Sequence, residues 1–359
     1  MELQFDINKE YALSLMGGGA RGAYQIGAWK AIKEAGFKIK AVAGTSVGAL
    51  NGALVAMGDL EKAVGIWQEL SYSNVIEVDD KLMSEVMNKK QLQIIKSKGK
   101  NEIKDAIAYG KEILGQSKDI YEQGKDILAN KGFDTTPLRK MIEKYIDPQK
   151  VIDSDIEFIT VICMPYWEKH QDTAGTKPGL MGYEKNVSNR ELKEEELVDY
   201  LLASSNLPVF KNQKLNGENY IDGGYVNVRP DNVLLERGYE NIISIRLPSS
   251  GVIRKANYVE PPIIIEPRGK IGGVIEFENS KIRENIELGY YDAMKVLYGL
   301  EGFDYYFDVS ICEDETSAFF TKHGREFCEM FEEVYTRRKR ERLNSIIPSV
   351  IFESTKIFD

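Results

Sequence analysis

Two glycine-bracketed turns near the start of the chain, and one Asp-Gly pair far from them, hold residue types suited to acyl transfer. Gly44-Thr45-Ser46-Val47-Gly48 is a G-x-S-x-G sequence. Where such a sequence joins a strand to a helix, it puts the serine hydroxyl on a sharp bend at a helix N-terminus, a place that favours developing negative charge. A serine there is also a common helix cap, which is the plainer alternative. Upstream stands Gly17-Gly18-Gly19-Ala20-Arg21-Gly22. Its bare amides could point donors at an oxyanion. The same glycines satisfy G-x-G-x-x-G, the dinucleotide fingerprint. That fingerprint asks for an acidic residue about twenty positions on, whereas here the second strand runs into Gly44, Thr45 and Ser46. Asp222-Gly223-Gly224 brings a carboxyl. Asp-Gly is a strong hairpin signal, and a free Asp, with a pKa near ~3.9, is a poor base. Asp222 could act as one only in a dry pocket within reach of Ser46.

The elements that must position these residues follow from hydrophobic patterning. Residues 11–16 (YALSLM) form an apolar run that ends at glycine and predicts a buried strand. Residues 20–35 have helical composition, closed by Gly36, and residues 41–45 predict a second strand. Residues 47–57 are small and apolar, a second helix ended by Gly58. Strand, glycine turn, helix, strand, tight turn, helix opens a doubly wound sheet. Further strands are expected at residues 156–163, 241–247 and 305–309, helices at 195–203 and 282–298, and a polar loop at 168–190, while Tyr220 and Ile221 lead into the Asp222 motif.

Between residues 75 and 131 lysines, acids and isolated aliphatics replace the sheet pattern. KDAI, KEIL, KDIY and KDIL recur there in a seven-residue repeat that places Ile113, Ile120 and Ile127 on one stripe. The segment predicts a helical insertion. Residues 311–359 predict a charged, helical extension to a principal domain at 8–310.

Taken together in order and spacing, these motifs resemble those of the patatin-like phospholipase family. The glycine loop matches its oxyanion loop, Gly44 to Gly48 its nucleophile elbow, and Asp222-Gly223-Gly224 its base motif. ASSNLPVF at residues 203–210, Asn227 and Pro230, GFDTTPL at 132–138 and LGYYDA at 288–293 also fit. The resemblance implies a three-layer α/β/α fold with a mainly parallel central sheet. It implies a Ser46–Asp222 dyad without histidine, an oxyanion hole in the loop of Gly17, Gly18 and Gly19, and Arg21 ordering that loop or assisting its charge. The substrate implied is a phospholipid or another acyl-ester lipid, and no cofactor is implied. The chain has only two histidines, His170 and His323. A Ser46, Asp222, His323 triad has the chain order of α/β-hydrolases, but His323 lies in the charged tail, outside the family-like region.

Composition narrows the partners. The chain has 359 residues, 43% hydrophobic and 29% charged, with a net charge of −9. That balance argues against nucleic acid as a partner. Cys163, Cys312 and Cys328 are scattered and odd in number, as expected of reduced thiols in a cytoplasmic protein. No secretory leader or membrane span is readable, and the isolated pair Asp79 and Asp80 lacks the spacing of a metal loop. The insertion carries 11 Lys against 7 Asp and Glu over residues 81–131. Its stripe and local positive charge suit peripheral contact with an anionic membrane; a packed hairpin or a dimer seam would give the same pattern.

Overall fold

The computed structural model describes residues 3–75, 134–165, 177–178, 182–207, 210–211 and 213–299. The expected insertion beyond residue 75, the strand at 305–309, the C-terminal extension, His170 and His323 lie outside them.

A mixed sheet organises the described chain. Its strands are β1 (Glu10–Leu15), β2 (Lys38–Thr45), β3 (Glu157–Pro165), β4 (Lys177–Pro178), β5 (Gly182–Ser188), β6 (Gln213–Leu215), β7 (Glu218–Asp222), β8 (Ile242–Ile245) and β9 (Ile263–Ile265). They run in the order β4-β5-β3-β2-β1-β8-β9, with the β6–β7 hairpin joined to β3 through β7. From β3 through β9 the neighbours are parallel, and β5 and β7 pair with β3 antiparallel. Parallel strands buried on both faces should read as continuous apolar runs, and Ala41, Val42 and Ala43 in β2 are all fully buried.

The alternation of side chains divides the core in two. Leu13, Leu15, Val42, Phe158 and Ile162 pack with residues of helices α1 (Ala23–Glu34), α2 (Val47–Met57), α3 (Leu60–Glu69) and the long Asn279–Tyr298 helix. Ala12, Ala41, Ala43, Ile159 and Val161 face the other way, against Val233 and Leu234 of the short Asp231–Glu236 helix. Helices on both sides of one sheet are the three-layer arrangement expected.

Several local expectations need correction. Residues 168–190 are not a continuous loop: β5 lies there, and all seven of its residues pair with β3. Its sequence, GYEKNVS, has no apolar alternation; Val187 reaches the core, and pairing of the whole strand with β3 sets the rest. Asp222 is not at a hairpin tip. That turn is Asn216-Gly217, whose φ angles of 53° and 86° suit a tight reversal; Asp222 closes the far end of β7.

Candidate active site

Strand β3 sets the geometry of the site. Along one edge it pairs with β2 as far as Thr45 opposite Val161. Its other edge is covered by β5. β7 therefore enters on the edge that β2 leaves, with Asp222 opposite Ile162. Ser46 follows Thr45 directly, and Asp222 occupies the next step of the same edge. Two residues far apart in sequence are brought together by one strand's backbone.

Ser46 sits at φ 57° and ψ −128°, a conformation that few non-glycine residues adopt. The elbow is tight on both sides. A Cβ on Gly44 would stand 2.0 Å from Gly48 O, and one on Gly48 would stand 2.1 Å from Leu15 O. Both positions therefore exclude a side chain, and the strand-to-helix reversal closes around the serine. Its N–H donates to Ser204 Oγ at 2.9 Å, and Ser204 Oγ donates to Val161 O at 2.7 Å. The serine backbone is thus tied to β3 through a hydroxyl. At the start of α2, Ala49 N donates to Ser46 O at 2.8 Å, and the N–H groups of Val47 and Gly48 ahead of it have no intrahelical acceptor by geometry.

Asp222 is 3% exposed. Its Oδ1 accepts from Gly224 N at 2.7 Å, whereas Oδ2 is buried without a hydrogen-bond partner. Burial pushes the carboxyl up to about 6; the nearby Ser46 hydroxyl and the Gly224 N–H pull the other way. The hydroxyl is close enough to lower the carboxyl's pKa, and Oδ2 still makes no hydrogen bond. Catalytic hydrogen bonds are often loose in a substrate-free site. Asn206 braces the backbone around Asp222: Asp222 N donates to Asn206 O at 2.9 Å, and Asn206 Nδ2 donates to Tyr220 O at 3.0 Å. Next to this carboxyl, burial and the Asp222 charge push the Cys163 thiol up to about 12, which keeps it protonated.

The glycine loop is selective about which amides it leaves open. Gly17 N donates to Val228 O at 2.9 Å, Ala20 N to Val274 O at 2.7 Å, and Arg21 N to Gly18 O at 3.3 Å. Gly17 therefore cannot serve as the expected oxyanion donor, because its N–H is already engaged. Among the described residues, Gly18 and Gly19 N–H have no backbone acceptor. Gly19 has φ 58°, and a Cβ there would lie 2.0 Å from Val274 O. Arg21 donates through Nε to Gly272 O at 2.8 Å and through Nη1 to Pro248 O. Its guanidinium braces two loops around the glycine turn. Gly223 closes the base motif, where a Cβ would stand 2.3 Å from Val161 O.

Ser46, Val47 and Gly19 form part of the wall of a cavity of about 990 Å³, measured out to its open mouth. The rest of the wall is almost wholly apolar and includes Leu50, Leu54, Ile66, Trp67, Leu138, Met141, Ile142 and Phe277. The sequence does not single out Ser204 or Asn206, nor the two wall helices at Leu60–Glu69 and Thr136–Tyr145, although it predicts α2. Ser204 and Asn206 stand within ASSNLPVF, but nothing in that string says which side chain points at Ser46. Among the described residues, no group of three or more His, Cys, Asp or Glu side chains could hold a metal ion, and no helix is long and apolar enough to cross a membrane.

A family model described as patatin-like phospholipase matches residues 13–234, a span that holds the glycine loop, Ser46 and Asp222. Over 48 residues the chain is 54% identical to lysophospholipase nte1 of Aspergillus terreus; the stretch is 13% of this chain and 3% of that protein. VipD from Legionella pneumophila aligns at 15% identity and a TM-score of 0.43, covering 80% of this chain and 66% of that one. The type III effector protein ExoU aligns at 14% identity and a TM-score of 0.34, covering 91% of this chain and 61% of the other. The chain spans less than two thirds of the length of each of these relatives.

Proposed function

The chain belongs to the patatin-like phospholipase family, and from that premise we propose that it is a lipid acyl hydrolase working through a Ser46–Asp222 dyad. One observation carries the reading: a buried carboxylate oxygen without a partner, beside a strained serine on the wall of an apolar cavity. A base with a pKa of about 6 is ionised at neutral pH yet far more basic than a free Asp. No cofactor is needed for the steps below.

Asp222 takes the Ser46 proton as Oγ attacks the acyl carbonyl. The carbonyl oxygen becomes an anion, held by the Gly18 and Gly19 N–H groups at the start of the loop. As the intermediate collapses, the carbon–oxygen bond to the leaving alcohol breaks and Asp222 returns the proton to that alcohol. Water then attacks the acyl-enzyme, Asp222 accepts its proton, and Ser46 regains a proton as the fatty acid leaves. Each oxyanion donor of this kind is typically worth about 3–4 kcal/mol in the transition state. The apolar cavity accepts the acyl chain, which makes a phospholipid or lysophospholipid a fitting substrate.

Hydrolysis of a phospholipid panel and of p-nitrophenyl esters, with Ser46→Ala as control, tests the reading. Wild type should release fatty acid and Ser46→Ala should retain none above background. Equal release by both proteins would place the chemistry elsewhere. The motif order also fits a Ser46, Asp222, His323 triad, and His323→Ala in the same panel separates the two: the dyad predicts unchanged turnover.

A further inference from the structure

A buried polar network joins the glycine loop to the cavity wall, and the dyad mechanism does not use it. Asn51 lies in α2, past the first turn after Ser46, in a helix otherwise made of small and apolar residues. It is 1% exposed. Its amide nitrogen donates to Gly22 O at 2.9 Å and to Gln25 Oε1 at 2.8 Å. Its amide oxygen accepts from Trp67 Nε1 at 2.9 Å. Gln25 in turn donates to Met16 O at 2.7 Å. The carbonyls on either side of the open amides, Met16 and Gly22, are therefore held by one connected set of side chains rooted in the helix that carries Ser46.

The composition of the network is specific. Asn51 fills both donor positions and its acceptor, a pattern that a carboxylate or an aliphatic side chain cannot supply. Satisfied buried networks of this kind rigidify what they touch, and leaving one member unpaired is costly. Trp67 belongs to two structures at once. Its ring lines the apolar cavity, and the same ring presses on Gly22, where a Cβ would stand 3.0 Å from Cζ2. Anything packed in the cavity against this indole bears on the hydrogen bond to Asn51 and, through it, on the glycine loop.

We propose that Asn51 is a positioning residue which, through Trp67, couples filling of the apolar cavity by an acyl chain to placement of the Gly18 and Gly19 amides over Ser46. This rests on the acyl-hydrolase reading above and adds a chain-length control to it. Small misplacements of reacting groups can cost about a hundredfold in rate. A long acyl chain seats the indole and so holds the donors in place; a short acyl group leaves them less well held.

The test compares p-nitrophenyl acetate with p-nitrophenyl laurate on the full chain, resolving kcat from KM. Wild type should turn over laurate with the higher kcat. Trp67→Phe keeps an apolar ring but removes the indole N–H. It should lower kcat on laurate about tenfold, with KM within about twofold and a clearly smaller loss of kcat on acetate, because loss of an interaction made only in the transition state appears in kcat. Asn51→Leu should lower kcat on both esters by about a hundredfold; should that variant fail to fold, Trp67→Phe carries the test by itself. An effect of Trp67→Phe on laurate KM alone would make Trp67 a wall and nothing more. In Trp67→Phe, equal losses on both esters, or no loss on either, would also overturn the coupling. Failure of the parent reading looks different: wild type would then hydrolyse neither ester in a Ser46-dependent way.

Discussion

Asp222 and Asp231 stand nine residues apart in sequence, both buried, and the fold treats them in opposite ways. Asp231 is fully buried at the start of its helix and is surrounded by donors. Ser244 Oγ donates at 2.9 Å, the Tyr258 hydroxyl donates to Oδ2, Arg229 Nε lies at 3.1 Å and Arg246 Nη2 at 3.9 Å. Burial of the same group at Asp222 meets one backbone N–H and the nearby Ser46 hydroxyl, with no cation beside it among the described residues, and Oδ2 makes no hydrogen bond. The contrast teaches that this scaffold can neutralise a buried carboxylate and does not do so at 222. An unneutralised buried charge raises proton affinity, and that is the property a proton acceptor for Ser46 requires. The electrostatic cost of folding around Asp222 and the basicity of Asp222 are one quantity seen from two sides.

Breaking the compensated site should cost the most stability. In Asp231→Asn the Arg229 and Arg246 charges lose their counter-ion, and removing one partner of a buried pair typically costs about 3–5 kcal/mol. Since Arg229 and Arg246 keep partial contact with solvent, the lower end of that range is expected, read as a shift in urea midpoint. Labelling of Ser46 by a fluorophosphonate in the folded variant should stay close to wild type, because Asp231 serves the fold and not the chemistry.

The uncompensated site should respond in the other direction, and only above a certain pH. Folding raises the Asp222 pKa from 3.8 to about 6. Below about pH 4 the carboxyl is protonated in both states and causes no penalty. As pH rises through 6 the folded protein must hold a bare charge, so wild type loses stability across that window. Asp222→Asn does not titrate. Its advantage over wild type should therefore open between pH 4 and pH 7, reach on the order of 3 kcal/mol, and close again on acidification. Equal denaturation midpoints for the two proteins at pH 8 would remove the argument for a stored charge.

How much of this could be read from the chain depends on how far apart the interacting residues are. The elbow at Ser46 and helix α2 with its stop at Gly58 are local: eight apolar positions in residues 47–57, a glycine on either side of the serine, and a left-handed glycine at the end, where φ is 73°. The order of motifs then points to the family and the layered sheet. The competition for the Gly17 N–H was not legible, because its acceptor, Val228, is brought in by the folded base motif. Strand β5 carries no apolar alternation and exists through its pairing with β3. Asn51 is a lone amide in an apolar helix, a signal that the sequence reading did not take up, and its partners Gln25 and Trp67 come from two other helices. Ser204 likewise acquires its place only when its helix brings it against the elbow.

The most direct test is the rate of fluorophosphonate labelling of Ser46 as a function of pH, in wild type and in Asp222→Asn. The account predicts a wild-type rate that rises with a midpoint near pH 6 and then levels, as the buried carboxyl loses its proton. Without the carboxylate base, labelling should fall by about 10²–10⁴-fold, with no rise through that window. A wild-type midpoint near 4, or labelling in Asp222→Asn that matches wild type, would contradict it.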